Sequence, residues 1–299
     1  MWDQVRDLMI GACDLHIHAG PDVVKRQQDI IDVTRDAAEA GMRALVIKDH
    51  NTITADRAAL VHKVLGDQVL VLGSIVLNYA LGGFNVEAVE KALNMGARIV
   101  FMPSMDAALT IEKVHVTGET PWLSPFTRIK DPAQGMTVLD SYPDGDRVLP
   151  EVQDIVRLIA EKDAVLDTCH LSARESYYLI RAAKEAGVGR IVVTHPNCSV
   201  NLMTVEEQKQ LAMEGVYFSY AFLPCMPLFD RQHPKEIAAM MQAVGPERCL
   251  LFSDFGQVFN PPSVEGYKMF LASLLAVGME AEDLKKAACL NPARLLGLD

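Results

Sequence analysis

Histidine and aspartate residues recur in this chain at the C-terminal ends of short apolar runs. The first run closes on Asp14-Leu15-His16-Ile17-His18 and the second on Lys48-Asp49-His50. The fifth closes on His170, the sixth on Thr194-His195-Pro196, and the eighth on Ser253-Asp254-Phe255. His16 and His18 are two residues apart, so on an extended strand both rings point to one face. Neutral imidazoles placed that way can take adjacent positions on one cation. A lone His-x-His is a weak signal, since two hydrogen-bonded histidines at a strand end read the same. The company of His170, His195 and Asp254 at the ends of later runs is what selects metal binding. A divalent ion held by such groups lowers the pKa of bound water and polarises a carbonyl or phosphoryl oxygen. A carboxylate beside that water can take its proton and return it to the leaving group. Asp254 is the candidate for that task, with His195 beside it as the second candidate catalytic group.

Those residues converge only if the elements between them bring the run ends together. Strand signals, short β-branched or apolar runs bounded by turn residues, fall at 12–16, 44–47, 69–75, 97–102, 164–168, 190–194, 215–220 and 249–253. Their nearly continuous apolar character suits parallel strands covered on both faces. Helical segments alternate with them. Ser172-Ala-Arg-Glu175 and Thr204-Val-Glu-Glu207 are capping boxes ahead of apolar helical runs. Asn85 opens a segment that Gly96 closes, and Pro234 suits a first helical turn. Alternation through the whole chain predicts right-handed βαβ units and a parallel sheet. Eight units favour closure into a (β/α)8 (TIM) barrel, in which the C-terminal strand ends surround one mouth where chemistry sits.

At 299 residues the chain exceeds the roughly 250 typical of such a barrel, so residues 1–299 are read as one domain with an insertion. The excess falls at 104–149, where Pro121, Pro125, Pro132, Pro143 and the turn Asp144-Gly145-Asp146 interrupt the rhythm. Long connections of this kind are uncommon unless functional. Leaving the C-terminal end of the fourth strand, this one is expected to lie over the mouth as a lid or pocket wall. A net charge of −11, with no basic run, works against nucleic acid as a partner. No stretch approaches 18 uninterrupted apolar residues, and the first residues lack a signal-peptide core. The six cysteines have no CxxC spacing and read as reduced, mostly buried thiols. The expectation is a cytoplasmic protein acting on a small molecule, with no membrane partner and a homodimer as the default assembly.

The chain resembles the amidohydrolase superfamily of metal-dependent hydrolases. The matching pieces are His16-x-His18, His170, His195, Asp254, and the terminal Asn291-Pro-Ala-Arg-Leu-Leu-Gly-Leu298, which is similar to the closing helix of those enzymes. The resemblance implies a barrel in which the His-x-His pair and the aspartate bind metal, His170 binds it too or contacts substrate, and Asp254 handles the proton of the attacking water. Many two-metal members carry a bridging lysine at the end of strand four. Here that end reads Val100-Phe101-Met102-Pro103-Ser104, so one ion is expected rather than two. Nitrogen-rich ligation favours zinc, with manganese or iron next, over magnesium. The expected reaction is attack of the activated water on an amide, lactone or related carbonyl-type bond. Decarboxylation of a small aromatic or keto acid is the alternative from another class.

The second strand carries a further resemblance. Val46-Ile-Lys-Asp49-His50-Asn51-Thr52 is similar to the second motif of the polymerase and histidinol phosphatase (PHP) family, in which several ions cluster to cleave phosphoesters. His50 is therefore a candidate metal ligand or substrate contact, and PHP-like phosphoesterase chemistry a second alternative. Lys48 shares its strand face and has three readings: partner of a substrate anion, carbamate bridging metals, or salt bridge. Asn78, Tyr79 and Ser104 are placed to contact substrate, and Met102, Tyr220 and Phe222 to line the pocket. Asp14 and Asp167 are expected to hold histidine rings through hydrogen bonds. His62 is expected in solvent, His115 and His233 in loops, and Cys13, Cys169 and Cys198 in packing.

Overall fold

The computed structural model describes residues 1–298. Its eight strands are β1 (Cys13–Ile17), β2 (Ala44–Ile47), β3 (Leu70–Val76), β4 (Ala97–Phe101), β5 (Val165–Asp167), β6 (Ile191–Thr194), β7 (Tyr217–Ala221) and β8 (Cys249–Phe252). They pair in parallel and in chain order, from β1 to β8. Each boundary lies within two residues of the sequence expectation. Nearly every strand residue is buried, as a sheet with helices outside and packed side chains inside requires. Both capping boxes form, with Ser172 and Thr204 accepting from the backbone of Glu175 and Glu207.

Between β8 and β1 the barrel closes without a regular ladder. Asp254 donates its backbone N–H to His16 O (3.1 Å), and His18 donates to Phe255 O (2.8 Å). The Asp14 carboxylate accepts the Ser253 backbone N–H at 3.1 Å and that of His16 at 3.2 Å. The Tyr267 hydroxyl lies within hydrogen-bond distance of both Cys13 O and Leu251 O. Asp14 therefore holds backbone across the seam and touches no imidazole, which corrects the expected role. Asp167 is corrected in the same way. It accepts from the Cys169 N–H (2.8 Å) and the Thr194 hydroxyl, tying β5 to β6.

At the opposite end of the barrel the closing helix Asn291–Leu296 sits under the strand starts. Asn291 donates to Pro246 O and Cys249 O, both at 2.8 Å. The 104–149 segment is folded rather than structureless. It holds the helix Ala108–Ile111, a wide helical turn and two short 3-10 turns, closed by a Leu139↔Val148 bridge. Val114, Leu123, Trp122 and Met105 pack it against Cys198 and Val200 from the loop after β6. Among the described residues no helix is long and apolar enough to cross a membrane.

Candidate metal centre

β1 delivers His16 and His18 to the mouth, and the turn after β8 delivers Asp254. The Nε2 atoms of both histidines lie 3.2 Å from the same oxygen, Asp254 Oδ1. Two ligands about 2.0–2.1 Å from one ion, at angles between octahedral and tetrahedral, stand roughly 2.8–3.4 Å apart. The spacing is that of donors around a shared cation. His16 is 3% exposed, and neither of its ring nitrogens has a hydrogen-bond partner. Buried polar atoms are rarely left so. An ion would satisfy Nε2, and the residues present fit one.

Rings wall this centre in. Phe252 stacks on His16 at 4.6 Å between centroids, and Phe101 lies at 5.5 Å. Burial holds the imidazoles of His16, His18, His50 and His170 well below the usual histidine range, with Lys48 adding to the effect in each. Burial likewise pushes His195 down to about 4, against the opposing pull of the Asp254 carboxylate. All five rings are therefore neutral at pH 7, as metal ligation requires. Burial raises Asp254, with His195 and Lys48 opposing, which moves it toward the range of a general base.

The backbone is strained where these groups emerge. Cys169, His195 and Asp254 take positive φ (49°, 28° and 57°) at the ends of β5, β6 and β8. Non-glycine residues in that region cost on the order of 1–3 kcal/mol and cluster at functional sites.

Hydrogen bonds assign the ring tautomers of the outer histidines. Asn201 gives both amide hydrogens to carbonyls, Cys169 O and Thr194 O, so its Oδ1 accepts from His195 Nδ1 at 2.7 Å. The Thr110 hydroxyl spends its one hydrogen on Ser104 O, so it accepts from His170 Nδ1 at 2.9 Å. Both rings then carry a lone pair on Nε2. Their centroids are 5.0 Å apart, and both line the mouth. His50 differs. Ser104 Oγ accepts from the Asn78 amide, and the remaining acceptor for its hydrogen is His50 Nδ1 at 2.8 Å. His50 then presents an Nε2–H donor.

Above the centre lies a cavity of about 860 Å³, lined by His16, His18, His50, His170, His195 and Asp254 together with Lys48 and Asn78. Lys48 is buried, with Nζ 3.3 Å from Cys169 Sγ and 4.6 Å from the Phe101 ring centroid. Among the described residues, His16, His18 and Asp254 are the group within mutual ligand distance. His170 and His195 adjoin it, and His50 stacks on His18 at 4.8 Å.

Ser104 is fully buried, and its hydroxyl is engaged with His50 and Asn78. Met102 and Tyr220 are also fully buried, and Tyr220 donates to Gln208. Phe222 stacks between Phe255 and Phe270. His62 is half-buried, with Nε2 2.9 Å from Val71 O, rather than in solvent. His115 contacts Thr127 O, and His233 caps the helix Pro234–Val244, so neither faces the cavity. Sequence reasoning missed Asn201 and Thr110, which orient rings, and also Arg26 and Trp122, which line the cavity. The available signal was position, since all four follow barrel strands on the mouth side.

Residues 11–219 match a family described as "Family of unknown function (DUF6282)". The chain belongs to that family. The match spans β1 into β7, so it includes every histidine of the centre and stops short of Asp254. No curated protein matches the chain. Among solved structures it is similar to an amidohydrolase from Pseudomonas aeruginosa, at 14% identity and TM-score 0.65 over 98% of this chain and 97% of that one. The probable dipeptidase PvdM from Pseudomonas aeruginosa is 11% identical, with TM-score 0.65 over 99% and 97%. The 2,6-dihydroxybenzoate decarboxylase from Rhizobium is 12% identical, with TM-score 0.54 over 97% and 99%. The fold of this DUF6282 chain is therefore the amidohydrolase-type barrel, which serves hydrolysis in some neighbours and decarboxylation in another.

Proposed function

We propose that this chain is a metal-dependent hydrolase acting on an amide, lactone or related carbonyl-type bond of a small molecule. The observation that carries the reading is the convergence of His16 Nε2 and His18 Nε2 on one oxygen of Asp254, with His16 otherwise unpartnered. His16, His18 and Asp254 would hold one divalent ion, zinc before manganese or iron. His195 and His170 complete the donor set with their Nε2 lone pairs. Once bound, that ion supplies water activation and carbonyl polarisation.

The remaining work belongs to side chains. Asp254, buried and raised, takes the proton of the attacking water and returns it to the leaving group. His50 and Asn78 face substrate, with Ser104 holding both in place. Lys48 supplies a positive charge under the site. The 104–149 insertion contributes the cavity wall through Trp122, Leu123 and Phe126.

Elemental analysis of the purified chain beside a His16→Ala/His18→Ala double variant tests this. The expected result is about one equivalent of zinc, manganese or iron, lost in the variant, with hydrolysis in a panel of amides and lactones. Release of carbon dioxide from aromatic or keto acids instead would make the protein a lyase. Several equivalents with phosphate release would favour the phosphoesterase reading. A chain that neither contains metal nor takes up added zinc or manganese refutes the proposal.

A further inference from the structure

The loop between β1 and the helix Ile30–Glu39 carries a charged group that the hydrolytic chemistry does not use. Arg26 lines the cavity, yet its side chain is only 8% exposed. Its Nε donates to Asp22 at 2.6 Å, and Nη2 lies 3.4 Å from His18 Nδ1. Nη1 makes no hydrogen bond among the described residues.

The loop is anchored on both sides. Gly20 N–H reaches Gln28 O at 2.9 Å, Gln27 N–H reaches Gly256 O at 2.8 Å, and Arg26 bridges Gln257. The loop backbone is thus tied to the segment that follows Asp254, and Asp22 holds the guanidinium through Nε.

Nη2 thus has only its long contact with His18 Nδ1 and Nη1 none, so one edge of a buried guanidinium is open to a ligand at the cavity wall.

The surroundings point to what fills it. Around the cavity, Lys25, Arg26, Lys48 and Arg128 stand against Asp106, Asp254 and the Asp22 paired to Arg26, so a chain of net charge −11 keeps a small positive excess at its mouth. Part of the cavity wall is aromatic. Trp122 packs edge-to-face on Phe229 at 4.9 Å, and Phe229 lies 6.0 Å from Phe259.

From this geometry we infer that the substrate is an amphiphilic anion: a carboxylate held by Arg26 beside the metal centre, and an aromatic or extended apolar body against Trp122, Phe229 and Phe259. The inference rests on the hydrolase reading and narrows it to acids such as N-acyl amino acids or carboxylated lactones. An Arg guanidinium meets a carboxylate through two parallel donors, which a neutral amide cannot reproduce.

Trp122 gives a direct readout, because the other tryptophan, Trp2, is exposed on the N-terminal helix. Fluorescence titration of the metal-loaded chain would use the acids from phenylacetate to 6-phenylhexanoate and the matching carboxamides. At the best chain length the acid should bind at least about tenfold tighter than its amide, ~1.4 kcal/mol. Arg26→Gln should erase that preference, the acid losing at least about tenfold more affinity than its amide. Arg26→Lys, which keeps charge without the fork, should fall between them and covers a poorly folding glutamine variant.

Equal binding of acid and amide by the native chain overturns the inference, as does a preference that survives Arg26→Gln, which would assign the anion to the metal or Arg128. Absence of any binding overturns the aromatic half. A chain that takes up no metal but still prefers acids through Arg26 would sink the hydrolase reading and leave this site standing. Metal uptake without the preference would do the reverse.

Discussion

Replacing Gly256 by alanine probes the barrel seam where the strand end bearing Asp254 meets β1. Gly256 has φ +144°, and a Cβ built there would lie 1.9 Å from His18 O. Ordinary contact begins near 3.4 Å, so backbone must give by about 1.5 Å (3.4 − 1.9). The positive φ costs a side chain on the order of 1–3 kcal/mol. Overpacking against backbone adds roughly 1–3 kcal/mol more, for about 2–6 kcal/mol together. At ~2.1 cal/mol/K per residue, 299 residues give an unfolding entropy of roughly 630 cal/mol/K, so Tm should fall by about 3–10 °C.

The control is Gly66→Ala. Gly66 has φ +73° with no atom within 4 Å of a built Cβ, so it carries the strain alone, about 2–5 °C on the same conversion. Calorimetry on both variants after chelation isolates the polypeptide from stabilisation by bound metal. The two should also differ at the centre. Moving His18 O displaces the ring that stands 3.2 Å from Asp254, so Gly256→Ala should lose metal while Gly66→Ala keeps it. A Gly256→Ala protein that melts no lower than Gly66→Ala and retains its metal would refute the account of this seam.

Two further outcomes follow from the same geometry. Thr110→Val keeps side-chain shape but strands the His170 Nδ1–H, which should cost about 1–3 kcal/mol and lower Tm by about 2–5 °C; metal affinity should fall on the order of 10–100-fold if His170 joins the donor set, and a variant with native melting and native affinity counts against the tautomer assigned here. Asp254→Asn removes the proton acceptor at almost constant volume, so kcat should fall roughly 10²–10⁴-fold in metal-loaded protein; turnover near the native rate would take Asp254 out of the proton-transfer role.

Much of the fold is legible along the chain because its determinants are local. Apolar runs of strand length, Ser172 and Thr204 with their glutamates, and Asn85 at its helix start act within a few residues. The candidate ligands are legible for a related reason. A two-residue spacing sets His16 and His18 on one face whatever the partner strand, and position at a strand end places His170, His195 and Asp254 at the mouth once the barrel is inferred.

Hydrogen-bond direction and cavity shape lie outside that reach. Asp14 and Asp167 read as ring partners, yet each holds backbone or a neighbouring strand, because the groups they meet come from β8 and β6. His50 reads equally as ligand or contact until Ser104, 54 residues on, supplies the hydrogen for its Nδ1. Arg26 is one of several charges in a surface-like loop until that loop is tied to Gly256 and Gln257, which follow Asp254. Trp122 becomes a cavity wall only through Phe229 and Asp230, more than 100 residues away. The sequence by itself determined which residue types arrive at the mouth, since strand period and strand order suffice for that. Which nitrogen faces inward, which carboxylate is structural and what the cavity admits were decided by the tertiary structure, because each depends on contacts between groups distant in the chain.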